Sequence, residues 1–170
     1  MNMKNTSINY PLAASSWGEE ETNAIQSVVD TGMYSMGKSV LKFEQEFANY
    51  QGSQYCLACA SGGYAMSIAL RAAGLQSGES VLTNTFTLAP VPGSISNAGG
   101  KPIFIEITKD LVLDLDDLSN KANLSGSRFL LISHMRGHLV DMDKLMEIVN
   151  DNNLILIEDC AHTMGAQWKT

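Results

Sequence analysis

Polar and glycine residues directly follow several short apolar runs in this 170-residue chain. In an open parallel sheet, ligands sit at the carboxyl ends of the strands, so chemistry is expected at these positions. The most informative is Glu158-Asp159-Cys160-Ala161-His162, which follows Leu154-Ile155-Leu156-Ile157. Carboxylates at the end of a buried strand need a cation or hydrogen-bond donors, because removing them from water unpaired is costly. One carboxylate facing a pyridine nitrogen would keep that nitrogen protonated and make the ring an electron sink. Glu158 and Asp159 together could instead hold magnesium, and spacing alone leaves both readings open.

Three further segments offer complementary groups. Ser61-Gly62-Gly63 leads into a helical pattern. Adjacent glycines let a backbone approach a ligand closely, and free N–H groups at a helix start bind phosphate; the plainer reading is a strand-to-helix turn. Asn84-Thr85-Phe86-Thr87 carries an aromatic that could stack on a planar ring or simply join the core. Ser133-His134-Met135-Arg136-Gly137-His138 sets two histidines and an arginine around a turn glycine. It could supply acid–base chemistry and an anion clamp, or only solvated turn side chains. No G-x-G-x-x-G or Walker pattern occurs, so no dinucleotide or triphosphate fingerprint is present.

Cys56-Leu57-Ala58-Cys59 has redox-motif spacing, but residues three apart on a strand face opposite sides. A zinc site from Cys56, Cys59, Cys160 and His162 lacks a second closely spaced pair, and no metal is expected. The three cysteines are odd in number and irregularly spaced, which fits free thiols better than a disulfide framework.

The elements that must position these groups alternate. Apolar runs at 55–58, 80–82, 102–107, 129–132 and 154–157 predict strands, with helices over 64–73, 88–97, 116–122 and 141–150 between and after them. Met142, Leu145, Met146 and Val149 form the buried stripe of the last helix. Two helices precede the strands: one over 17–30, capped by Ser15 or Ser16 and ended by Gly32, and one whose face is Val40, Phe43, Phe47 and Tyr50. The pattern is α/β, a mostly parallel sheet covered by helices. Residues 1–16 form an extended N-terminal segment and 17–170 one domain.

With 45% apolar residues and no biased tract, the chain reads as a folded, soluble globule. A net charge of -7 gives no footprint for nucleic acid. The first residues lack a secretory signal and no apolar run is long enough to span a membrane, so a cytoplasmic location is expected.

In order along the chain, Gly37-Lys38-Ser39-Val40 with Phe43-Glu44, Ser61-Gly62-Gly63, Thr85-Phe86, His134 with Gly137, and Glu158-Asp159-Cys160-Ala161-His162 with Gly165-Ala166 resemble the pyridoxal-phosphate sugar aminotransferases of the DegT/StrS type. The resemblance runs from about Pro11 to Thr170. It implies a fold-type-I large domain with pyridoxal 5'-phosphate as cofactor. Gly62 and Gly63 would bind the cofactor phosphate, Phe86 would stack on the pyridine, Asp159 would pair with its nitrogen, and His162 would lie near the ring.

Gly63 stands where the family usually has threonine or serine, and Met135-Arg136 where an aromatic often precedes the glycine. The resemblance also implies that the chain stops before the Schiff-base lysine and the C-terminal small domain. Lys4, Lys38, Lys42, Lys101, Lys109, Lys121, Lys144 and Lys169 do not match the family's lysine position. The expected function is the cofactor-binding half of an aminotransferase for a keto-sugar nucleotide, using a small-molecule amino donor. It would act as a homodimer or with a C-terminal half. The alternatives are a non-catalytic, partner-binding remnant and a pyridoxal-phosphate sugar dehydratase.

Overall fold

Apolar residues on alternate positions of four short strands are shared between two helical layers. The computed structural model describes residues 14–168, so most of the expected N-terminal segment 1–16 lies outside the described residues. The strands β1 (Ser80–Asn84), β2 (Lys101–Ile105), β3 (Phe129–Ser133) and β4 (Ile155–Asp159) form a sheet of order β2-β1-β3-β4. All neighbours are parallel. Every residue of β3 is buried, which suits a central strand covered on both faces.

The helices are α1 (Glu19–Thr31), α2 (Lys38–Gln51), α3 (Gly62–Ala72), α4 (Pro90–Ala98), α5 (Leu115–Ser125) and α6 (Met142–Asp151). Successive side chains on a strand point to opposite faces, and two cores follow from that parity. Leu82, Leu130, Ile132 and Leu156 pack with Leu118 and Ala122 of α5 and Leu145 and Val149 of α6. On the other face, Val81, Phe129, Leu131 and Ile157 pack with Met66 and Leu70 of α3 and Val91, Ile95 and Ala98 of α4. Burying each large side chain contributes roughly 1.5–3 kcal/mol, so these two clusters hold the sheet between its layers.

The expected architecture is present, with local corrections. The apolar run at 55–58 is not a strand: no strand among the described residues pairs with it, and the Ala58 N–H donates to the Glu44 carboxylate instead. Helix α1 is capped at Gly18, whose N–H donates to Glu21 at 2.7 Å, rather than at Ser15 or Ser16. It buries no residue, and Ile25, Val28 and Val29 are exposed along it. Among the described residues, no helix is long and apolar enough to cross a membrane. The correction that matters most is at β4, which runs two positions past its apolar run and takes in Glu158 and Asp159.

Candidate functional site

Because Glu158 and Asp159 are consecutive strand residues, parity sends their side chains to opposite faces. Asp159 shares its face with Ile157, which packs in the α3 and α4 cluster, whereas Glu158 shares its face with Leu156 in the α5 and α6 cluster. The two acids therefore do not converge on one magnesium ion. Asp159 is half-buried and accepts from the Ser133 hydroxyl at 2.9 Å and from the Ala161 N–H at 3.2 Å. Glu158 instead meets Nε2 of His134 at 2.8 Å, and His134 is only 2% exposed. His134 is thus committed to the face away from Asp159.

The strand ends are joined by Asn84. Registered pairs between β1 and β3 stop at Thr83 and Leu131, and beyond them the buried Asn84 amide bridges the gap. Its Oδ1 accepts from the Ser133 N–H at 2.9 Å, and its Nδ2 donates to the carbonyls of Ser133 at 3.2 Å and Phe86 at 2.7 Å. Thr85 bonds the Ile105 carbonyl through both its amide and its hydroxyl. The half-buried Phe86 is therefore held by its own backbone directly after β1.

The Gly62-Gly63 pair opens α3. Ser61 caps the helix, its hydroxyl accepting from the Tyr64 N–H at 3.3 Å, and the Ala65 N–H returns to the Ser61 carbonyl. The amides of Gly62 and Gly63 are first-turn groups without an intrahelical acceptor. A Cβ added at Gly62 would meet nothing within 4 Å, so the side-chain direction at Gly62 opens onto free space. One at Gly63 would lie 4.0 Å from Pro90 Cβ, which sets the start of α3 beside the start of α4 at the carboxyl end of β1. Helix α3 also packs against β4, the strand that carries Asp159.

His162 is exposed, and its Nδ1 accepts from the Arg136 N–H at 3.1 Å, which puts the proton of the neutral ring on Nε2. The turn that makes this contact, Met135–Gly137, holds Arg136 at φ 56° and Gly137 at φ 83°. Desolvation, with the Glu158 and Asp159 charges, raises the Cys160 thiol above its ordinary range, against a smaller opposing effect of Thr163. Cys56, Cys59 and Cys160 are free thiols. No metal was expected from the sequence, but among the described residues His134, Glu158 and Cys160 form a grouping with metal-ligand potential. Asn84 and Ser133 had no assigned role in the sequence; the only signal was a polar residue ending each apolar run.

A parallel sheet between helical layers, with an acid at one strand end and a glycine-opened helix packed on the same strand, is part of the large domain of fold-type-I pyridoxal-phosphate transferases. The chain belongs to the DegT/DnrJ/EryC1/StrS aminotransferase family, whose model matches residues 15–170. It is 31% identical over 172 residues to GDP-4-keto-6-deoxy-D-mannose 3-dehydratase of Yersinia pseudotuberculosis, a match covering 97% of this chain and 44% of that one. It is 32% identical to dTDP-3-amino-3,4,6-trideoxy-alpha-D-glucose transaminase of Micromonospora megalomicea subsp. nigra, over 85% of this chain and 39% of that one. The structure of E. coli GDP-4-keto-6-deoxy-D-mannose-3-dehydratase with bound hydrated PLP superposes with a TM-score of 0.86 at 29% identity, covering 95% of this chain and 43% of that one. The chain thus spans about two fifths of the length of these relatives.

Proposed function

We propose that this chain is the pyridoxal-phosphate-binding part of a cytoplasmic aminotransferase that acts on a keto-sugar nucleotide with a small-molecule amino donor. The observation that carries the reading is Asp159: a half-buried carboxylate, oriented by Ser133 and Ala161, on the sheet face that α3 covers. The open space in front of Gly62 is compatible with a phosphate there. Gly62 and Gly63 would donate their amides to the phosphate, whose charge the helix start favours. Phe86 would cover one face of the ring, and His162 would stand near it with a donor Nε2–H. Bound pyridoxal phosphate supplies an electron-accepting ring. Asp159 would hold a proton on the ring nitrogen, and the Ser133 hydroxyl on one carboxylate oxygen with the Ala161 N–H on the other would fix the orientation of the carboxylate.

Covalent chemistry with this cofactor needs a lysine amine at its aldehyde, and we assign that role to none of the lysines here. A portion beyond this chain would supply it, in a homodimer or by association with a C-terminal half. A dehydratase reading is supported by the Yersinia relative. A histidine in place of the lysine would favour it, whereas a partner-binding remnant would not bind the cofactor at all.

Absorbance titration of the 170-residue chain with pyridoxal phosphate tests the binding reading. The expected result is weak, fully reversible binding. Absence of binding at millimolar cofactor would sink the proposal. A stoichiometric adduct, trapped by borohydride at one lysine of this chain, would overturn the assignment of the lysine to another portion.

A further inference from the structure

We propose that His134, Glu158 and Cys160 form a site for one borderline-soft divalent cation, zinc by chemical preference, behind the sheet face that carries Asp159. A ring nitrogen of His134, a carboxylate oxygen of Glu158 and Sγ of Cys160 all lie within 4.8 Å of one another. Imidazole, carboxylate and thiolate together are a zinc-type donor set, and the thiolate disfavours magnesium and calcium. Three protein ligands would leave a fourth position open to water.

Distances decide whether the cluster can close. Tetrahedral zinc with ordinary bond lengths separates its nitrogen and oxygen ligands by about 3.4 Å and its sulfur and nitrogen ligands by about 3.6 Å. The His134–Glu158 contact at 2.8 Å must therefore open by about 0.6 Å, and the sulfur must move in by no more than about 1.2 Å. Glu158 and Cys160 are both exposed and have rotamer freedom for such adjustments, while the buried His134 provides the fixed ligand. A cleft of about 90 Å³ adjoins the cluster and is lined by the same three residues with Leu139, Met142 and Trp168. A water molecule needs roughly 30 Å³, so the cleft has room for an exchangeable fourth ligand.

The His134–Glu158 hydrogen bond pairs two of the ligands, and Cys160, two residues after Glu158, projects to the same side of the strand end. Binding would replace the Cys160 S–H bond with an S–metal bond and release that proton to solvent, with neutral His134 and ionised Glu158 donating lone pairs. The ligands bracket the functional face: His134 follows Ser133, and Glu158 and Cys160 flank Asp159. A cation here would staple the ends of β3 and β4 from behind without touching the face on which Asp159 lies.

The test is titration of the chelator-stripped 170-residue chain with zinc against a chromophoric indicator, and separately with cobalt(II) read by thiolate-to-metal charge-transfer absorption. One equivalent should bind with micromolar or tighter Kd. Cys160→Ser should weaken it at least tenfold and abolish the charge-transfer band, and Glu158→Gln should weaken it less. Cys56→Ser and Cys59→Ser should change neither. Because Cys160 is exposed, its serine variant should fold, which circular dichroism checks; His134→Asn gives a second loss of affinity if it also folds. Absence of stoichiometric binding, or binding that survives Cys160→Ser or depends on Cys56 or Cys59, overturns the proposal.

Discussion

Ser133 and Asp159 are register partners across the β3–β4 ladder, and the Ser133 hydroxyl donates to the Asp159 carboxylate at 2.9 Å. Ser133 is in turn held at its backbone by both ends of the Asn84 amide. Removing the two side chains should therefore have different consequences. Ser133→Ala deletes one partly buried hydrogen bond and should cost about 1 kcal/mol while weakening cofactor binding several-fold. Asn84→Ala strands buried partners on two segments and should cost about 2–3 kcal/mol. Urea denaturation of both variants, paired with cofactor titration, checks the ranking; equal destabilisation would show that the Asn84 bridge is not the dominant tie.

The glycines that open α3 separate folding from binding. Since a Cβ at Gly62 meets nothing within 4 Å, Gly62→Glu should leave the melting temperature within a few degrees of the parent. It would still introduce a negative charge where phosphate is proposed to sit, and affinity for pyridoxal phosphate should drop tenfold or more. A Cβ at Gly63 makes only ordinary contacts, 3.9 Å from the Ser61 hydroxyl and 4.0 Å from Pro90 Cβ. Gly63→Thr should thus fold and, by adding a hydroxyl donor, tighten phosphate binding. Weaker binding by the threonine variant would place the phosphate elsewhere.

Much of this was legible in the sequence because the signals were local. Leu154-Ile155-Leu156-Ile157 read as a strand without help from the rest of the chain, although β4 lies at the sheet edge with Ile155 exposed rather than buried on both faces, and Asp141 caps α6 where the helix was expected. The stripe on α6 was three parts right: Leu145 and Val149 are buried and Met142 packs against them, but Met146 is 38% exposed. What failed depended on partners distant in sequence. The run at 55–58 has strand-like residues, yet a ladder needs a neighbour and none is described beside it. The sequence also gave no way to know that β4 would extend through Glu158 and Asp159. That extension is stabilised by Ser133 and His134, about 25 residues away, and it decides which acid faces which layer.

Helices α1 and α2 predict association. Ile25, Val28, Val29, Leu41 and Phe43 are exposed, and α1 buries nothing against the sheet. Large apolar side chains gathered on two such helices favour burial against another surface. The purified chain should self-associate in the micromolar range, and charged substitutions at Val29 and Leu41 should reverse this without unfolding the sheet. Sedimentation velocity reads both outcomes, and a clean monomer at all micromolar concentrations would oppose the prediction.

Two acids predict the acid limb of stability. The Gln76 N–H, with Arg128, holds Glu79 below its ordinary 4.5, and Lys121 with the Glu106 N–H holds Asp117 below 3.8. A lowered folded-state pKa means that the unfolded chain binds more protons, so the contribution is full above the unfolded values and is lost as pH falls through the folded ones. Stability should thus be flat with respect to these groups at neutral pH and decline from about pH 4.5 downward. Glu79→Gln should flatten part of that decline in urea melts taken across pH 2–7. Both ion pairs are only partly buried, so high salt should shrink the effect.

Asp159 carries the sharpest prediction. Its carboxylate is half-buried and takes a hydrogen bond from the Ser133 hydroxyl on one oxygen and from the Ala161 N–H on the other; asparagine keeps the shape and one acceptor, and its amide N–H can donate to the Ser133 hydroxyl in place of the other contact. Asp159→Asn should therefore fold normally, with a melting temperature near that of the parent. The substitution removes the negative charge proposed to hold a proton on the cofactor's ring nitrogen, and a charge-assisted hydrogen bond of this kind contributes about 1.5–3 kcal/mol. In this chain joined to a portion that supplies the lysine, turnover should fall at least tenfold to a hundredfold, with a shifted cofactor absorption spectrum. In the 170-residue chain alone, pyridoxal phosphate should bind more weakly while inorganic phosphate binds as before, because the amides of Gly62 and Gly63 are untouched. Loss of activity through a metal requirement would look different: chelators would inhibit the parent, and the variant's cofactor spectrum would match the parent's. Since Glu158 faces the opposite layer, Glu158→Gln should leave that spectrum unchanged, and a spectral change in Glu158→Gln without one in Asp159→Asn would refute the assignment of Asp159.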